Sequence, residues 1–126
     1  MKKPGIIIID DNVKFAKLLQ TVLRLKGYEE IQIYDHSCDL QNLKVGMEDI
    51  GIVSCRNSDR KTFETIRFLK KRHGLKLIAC ASVQHNIPDE IAEIGIDGII
   101  TKTDSEPDKI IQTVEQVIEK KILDFK

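Results

Sequence analysis

Short apolar runs alternate along this chain with longer stretches whose apolar positions recur every three or four residues. The first run is Ile6-Ile7-Ile8-Ile9, read as a strand because it is short, β-branched and bounded by Gly5 and by acids. Phe15, Leu18, Leu19 and Val22 then recur at helical spacing until Gly27 offers a stop. A second strand is predicted over Ile31 to Tyr34, and a short helical stretch over Asp39 to Leu43, ended by the Val45-Gly46 turn. Ile50 to Val53 forms a third strand that runs out at Ser54. Phe63, Ile66 and Leu69 mark the next helix, with Ser58 and Asp59 as cap candidates and Lys70, Lys71, Arg72 and His73 at its negative dipole end. A fourth strand is predicted over Leu75 to Ala81, and Pro88-Asp89-Glu90 opens a helix that stops at Gly95. A fifth strand follows at Ile99 to Thr101, and Ser105-Glu106-Pro107-Asp108 opens a last helix with Ile111, Val114, Val117 and Ile118 as its buried stripe.

Strands that alternate with helices point to parallel strands joined by helical crossovers, and so to the α/β class. With 126 residues, of which 41% are hydrophobic, residues 1–126 fit one globular domain with a proper core. Lys plus Arg (20) balances Asp plus Glu (20), so no electrostatic footprint for nucleic acid or anionic membrane is expected. No apolar run approaches a membrane span, and the start of the chain does not read as a signal peptide, so a cytoplasmic protein with protein or small-molecule partners is expected. Cys38, Cys55 and Cys80 are an odd set without CxxC spacing and read as ordinary thiols of a reducing compartment. His36, His73 and His85 fall in connections and suggest no metal cluster with the cysteines.

In an open parallel sheet the ligand crevice lies beyond the carboxyl ends of the strands, which should bring Asp10, Asp11, Ser54, Ala81 and Lys102 to one edge. Adjacent carboxylates repel unless a cation lies between them, and hard oxygen ligands suit magnesium. The competing reading is that one aspartate caps the first helix while the other is solvated.

This order of elements and strand ends resembles the receiver domain of two-component response regulators over nearly the whole chain. Asp10-Asp11, the helix end Leu25-Lys26-Gly27-Tyr28, and Gly95-Ile96-Asp97-Gly98-Ile99-Ile100-Thr101-Lys102 carry the likeness. The resemblance implies a flavodoxin-like, doubly wound, five-stranded parallel sheet of order 2-1-3-4-5 with five helices. In the family the third strand ends in the aspartate that takes a phosphoryl group from a histidine kinase, in a setting like Asp-Leu-Val-Leu-Leu-Asp. Here the stretch reads Asp49-Ile50-Gly51-Ile52-Val53-Ser54, and Thr62 to Arg67 falls into register with the family's third helix without a gap. Ser54 thus stands at the acceptor position. Ala81 stands where a phosphoryl-binding hydroxyl is usual, with Ser82 one place on, Ile99 replaces the aromatic switch residue, and Thr103 replaces a proline. Lys102 matches the lysine of the family pattern.

Phosphoryl acceptance needs a carboxylate nucleophile, a magnesium ion and donors for the transferring oxygens. Ser54 removes the nucleophile and one metal ligand, so the resemblance implies a degenerate, non-enzymatic receiver. In it, magnesium binding at Asp10 and Asp11 is weak or absent, no other cofactor is used, and function runs through protein contacts. A kinase or effector is the implied partner class, and helix 4, strand 5 and helix 5 are the implied contact and homodimer face. Arg56, two residues beyond Ser54, is expected either to fold over Asp10 and Asp11 and, with Lys102, neutralise them without a metal, or to point to solvent. The alternative is a magnesium-dependent or ligand-responsive regulator with a non-standard acceptor, Ser54 or Asp59. A haloacid-dehalogenase-like hydrolase is disfavoured because its two acids stand one residue apart, where this chain has Asp10-Asp11-Asn12. A flavodoxin-like cofactor binder would want a Ser, Thr and Gly phosphate loop where these acids stand.

Overall fold

The computed structural model describes residues 3–35, 40–44, 46, 49–55, 60–81, 89–102 and 106–123. Its strands are β1 (Ile6–Ile9), β2 (Ile31–Tyr34), β3 (Ile50–Cys55), β4 (Lys76–Ala81) and β5 (Gly98–Thr101). Its α-helices are α1 (Val13–Leu25), α2 (Arg60–His73), α3 (Asp89–Gly95) and α4 (Pro107–Leu123). The strands form one parallel sheet in the order β2-β1-β3-β4-β5, which is the doubly wound order expected from the sequence.

The isoleucine run of β1 is apolar at every position because both faces of the sheet are covered. Ile6 and Ile8 point to one side, into a core shared with Ile50, Ile52, Ile78 and Ile100 and closed by α1 and α4. Ile7 and Ile9 point to the other, against Val53, Leu77, Ala79 and the α2 residues Ile66 and Leu69. Gly51 is needed in the centre of β3, since a Cβ there would lie 2.8 Å from Leu77 Cδ2. Leu77 fills the space that a side chain at position 51 would take.

Three details differ from the sequence expectation. Among the described residues there are four α-helices, and the stretch between β2 and β3 forms a single 3-10 turn, Leu40–Asn42. Among its described residues Leu43 is buried and Leu40 packs partly buried against the same core; Asp39 and Val45 lie outside the described residues. β3 continues through Ser54 and Cys55, which pair with Cys80 and Ala81 of β4. On α1, Leu18 is 40% exposed and Leu23 takes its expected place in the core. Among the described residues no helix is long and apolar enough to cross a membrane.

Candidate functional site

The carboxyl ends of β1, β3 and β5 bring Asp10, Ser54 and Lys102 together. Asp10 continues β1 by donating its N–H to Tyr34 O at 2.9 Å, and its side chain is 4% exposed. Its Oδ1 accepts the Asn12 N–H at 2.9 Å, a tight local turn that lifts the chain off the sheet. Asn12 then caps α1, its side-chain oxygen accepting from Phe15 N at 3.2 Å. The cap is therefore Asn12 rather than either aspartate, while Asp11 is exposed beside it.

Lys102 follows β5 directly, and its ammonium reaches back over the strand ends. Nζ lies 3.2 Å from Asp10 Oδ1 and 3.0 Å from Oδ2, and donates to Ser54 Oγ at 3.1 Å. The Phe15 ring lies under the same ammonium, 5.1 Å from Nζ to its centroid, in cation–π range. Asp10 Oδ2 has the ammonium as its ionic neighbour but, among the described residues, no donor in hydrogen-bonding geometry. One buried negative charge and one positive charge thus neutralise each other, with the Ser54 hydroxyl as a neutral third member.

Ala81, fully buried, pairs with Cys55 and Thr101, so β4 offers a methyl group at the level of the site. Ile99 is not part of this cluster and lies on edge strand β5 with 48% exposure. Arg56, Ser82, His85, Asp59 and Thr103 lie outside the described residues. The contribution of Phe15 was missed by sequence reasoning, which read it only as core. Its place in the first turn of α1, three residues after the cap that follows Asp10-Asp11, was the available signal.

The two thiols nearby are inert. Burial pushes Cys55 up to about 11, opposed in part by a hydrogen bond from the Cys80 backbone and by the charge of Lys102. Burial pushes Cys80 up to about 12, with Lys102 lowering it and Asp10 and Cys55 raising it. They face opposite sides of the sheet and belong to different core clusters.

A magnesium ion asks for a near-octahedral shell of hard oxygens. Both oxygens of Asp10 are within 3.2 Å of an ammonium, and the neutral Ser54 hydroxyl already accepts a hydrogen bond from it. Among the described residues no group of three or more His, Cys, Asp or Glu could hold a metal. With the exposed Asp11 as the remaining acid of the pair, this donor set does not fit the ion. Nor is Ser54 set up as a nucleophile, because an ammonium in an ion pair has no lone pair with which to take the hydroxyl proton.

No protein-family model matches the chain, and no curated protein sequence does. Solved structures match it along nearly its whole length. The signal receiver domain of a modulated diguanylate cyclase from Desulfovibrio desulfuricans superposes with a TM-score of 0.79 at 23% identity, covering 96% of this chain and 98% of that one. A CheY-like response regulator receiver domain protein from Methanospirillum hungatei gives 0.75 at 17% identity, with coverages of 96% and 98%. The receiver domain of the response regulator NarL from Mycobacterium tuberculosis gives 0.76 at 16% identity, with 94% and 98%. The chain therefore has the flavodoxin-like fold of response-regulator receiver domains.

Proposed function

We propose that residues 1–126 act as one receiver-type module of two-component signalling that works without phosphorylation, as a cytoplasmic binding module rather than an enzyme. The observation that carries this reading is Ser54 Oγ, hydrogen-bonded at 3.1 Å to Lys102 at the strand end where the receiver fold places its acceptor aspartate. A serine there offers neither the carboxylate nucleophile nor an anionic oxygen for a metal, and Ala81 offers no hydroxyl to a phosphoryl group. With the switch chemistry gone, protein contact is the remaining use of the scaffold, with a kinase or effector protein as the partner class. The α3, β5 and α4 face is the contact surface in this reading, including pairing with a second copy. It is supported by the exposure of Ile99 and by a groove of about 290 Å³ bordered by Ile99, Thr101, Lys109, Thr113 and Gln116.

The test is intact-protein mass spectrometry after incubation with magnesium and acetyl phosphate, run on the native chain and on Ser54→Asp. The native chain should stay unmodified while the variant gains one phosphate. A phosphate on the native chain would overturn the proposal and show that a non-standard acceptor takes it.

A further inference from the structure

Resting on that reading of Ser54, we infer that Lys102 is the resident cation of this site, standing in for a divalent metal, and that residue 54 decides whether a metal can enter. Three observations converge on the ammonium. Both oxygens of the buried Asp10 carboxylate lie within 3.2 Å of it, so the buried carboxylate of the site already has its counter-charge. Ser54 Oγ accepts from it at 3.1 Å, and the Phe15 ring covers its underside, so it is held in place by groups from three separate elements. Asp10 Oδ2, which among the described residues has no donor in hydrogen-bonding geometry, is the oxygen nearest the ammonium, at 3.0 Å. An incoming divalent ion would have to displace a tethered positive charge or share a carboxylate with it.

Residue 54 controls this arrangement because it lies within hydrogen-bonding reach of the same ammonium. The neutral hydroxyl of Ser54 does not compete with the Asp10 carboxylate for the charge of Lys102. An aspartate at 54 would compete for the ammonium, release part of Asp10, and add a hard oxygen donor. The three elements that a metal needs, two free carboxylates and a relaxed counter-charge, would then appear from one substitution.

The experiment is paramagnetic broadening of backbone amide NMR signals during titration with manganese(II), reversed by EDTA and competed with magnesium. It is run on the full native chain, Ser54→Ala, Ser54→Asp and Lys102→Met, with circular dichroism to check each fold. In the native chain and in Ser54→Ala, the amides of residues 9–12 should broaden no more than those of surface acids elsewhere. In Ser54→Asp and Lys102→Met they should broaden selectively, with an affinity at least about tenfold higher, a modest figure for relieving a unit charge ~4 Å from an incoming cation. If Lys102→Met does not fold, the Ser54→Ala and Ser54→Asp pair decides the matter alone. Selective broadening in the native chain equal to that in Ser54→Asp overturns the inference, as does the absence of any gain in the folded variants. The two proposals fail separately. Metal-selective broadening without phosphate on the native chain sinks this one alone, and phosphate on a native chain that shows no selective broadening sinks only the functional reading.

Discussion

Replacing Asp97 with alanine should weaken the fold by roughly 3 kcal/mol. The Asp97 carboxylate, 11% exposed, accepts the Leu77 N–H at 2.9 Å and the Lys70 ammonium at 3.1 Å, while the Asp97 N–H donates to Leu77 O at 2.8 Å. It thereby closes the ladder between β4 and β5 one position before Ile78 meets Gly98. Without the carboxylate the N–H of buried Leu77 is left unpaired, which costs about 1–3 kcal/mol. Lys70 is 27% exposed and keeps the Leu75 carbonyl at 3.3 Å, so the lost ion pair adds only about 0.5–1 kcal/mol. For a chain of this size the loss corresponds to a fall of about 11 °C in melting temperature. Asp97→Asn keeps an oxygen for Leu77 and should lose only about 1 kcal/mol. Equilibrium urea unfolding, with the midpoint read at unchanged slope, measures both. Asparagine proving as harmful as alanine, or alanine falling within about 0.5 kcal/mol of the native chain, would refute the reasoning, because surface changes lie in that range.

Asn12→Ala removes the side-chain cap of α1 but keeps the backbone N–H that Asp10 Oδ1 accepts, and should cost about 1 kcal/mol in the same urea assay, while Asn12→Asp should cost less than that. Iodoacetamide at pH 8 should leave the peptides containing Cys55 and Cys80 unlabelled in the folded chain and label both in urea, since their thiols lie near 11 and 12. The sign of the linked pH dependence follows from raised values in the fold. The stabilising contribution of the two thiols is fully present below the unfolded value of about 9 and is lost as pH climbs toward about 11 to 12, where unfolding releases protons. Cys80→Ala should flatten that alkaline decline in urea midpoints measured from pH 8 to pH 11.

Much of the fold was legible because the local signals agree with the topology. The run Ile6 to Ile9 is apolar on both faces, which only a covered parallel strand needs. Gly27 has φ 96°, and Gly95 has φ 108°, so these two glycines read as helix stops sit in backbone that other residues avoid. The Gly-x-Asp-Gly stretch also has a physical account. Gly95 ends α3, Asp97 closes the ladder, and a Cβ on Gly98 would lie 2.9 Å from Val117 Cγ2. What could not be read was long-range. The extension of β3 past Ser54 depends on Cys80 and Ala81 across the ladder, not on any local signal. The choice of partner for Lys102 depends on groups 92 and 48 residues away. Sequence reasoning expected Arg56 either to neutralise the acids together with Lys102 or to point to solvent; the Lys102 contact with Asp10 is present, and Arg56 lies outside the described residues.

The acidic residue and the lysine that suggested metal and phosphate chemistry both have structural employment here. Asp10 makes the turn that delivers Asn12 to its capping position, and its burial then demands a counter-charge. Lys102 supplies that charge, and the hydroxyl of Ser54 and the Phe15 ring fix its direction. The presence of Asp10 and Lys102 therefore does not by itself argue for phosphotransfer, because both have structural partners at the β1–α1 junction. Residue 54 is different. Its hydroxyl accepts a hydrogen bond from Lys102 rather than making a turn or a cap, and a carboxylate there would set two acids against one ammonium, a strained arrangement unless a metal or a phosphoryl group makes use of it. The serine removes that strain, which is why the diagnostic weight of this site rests on Ser54 rather than on the motif around it.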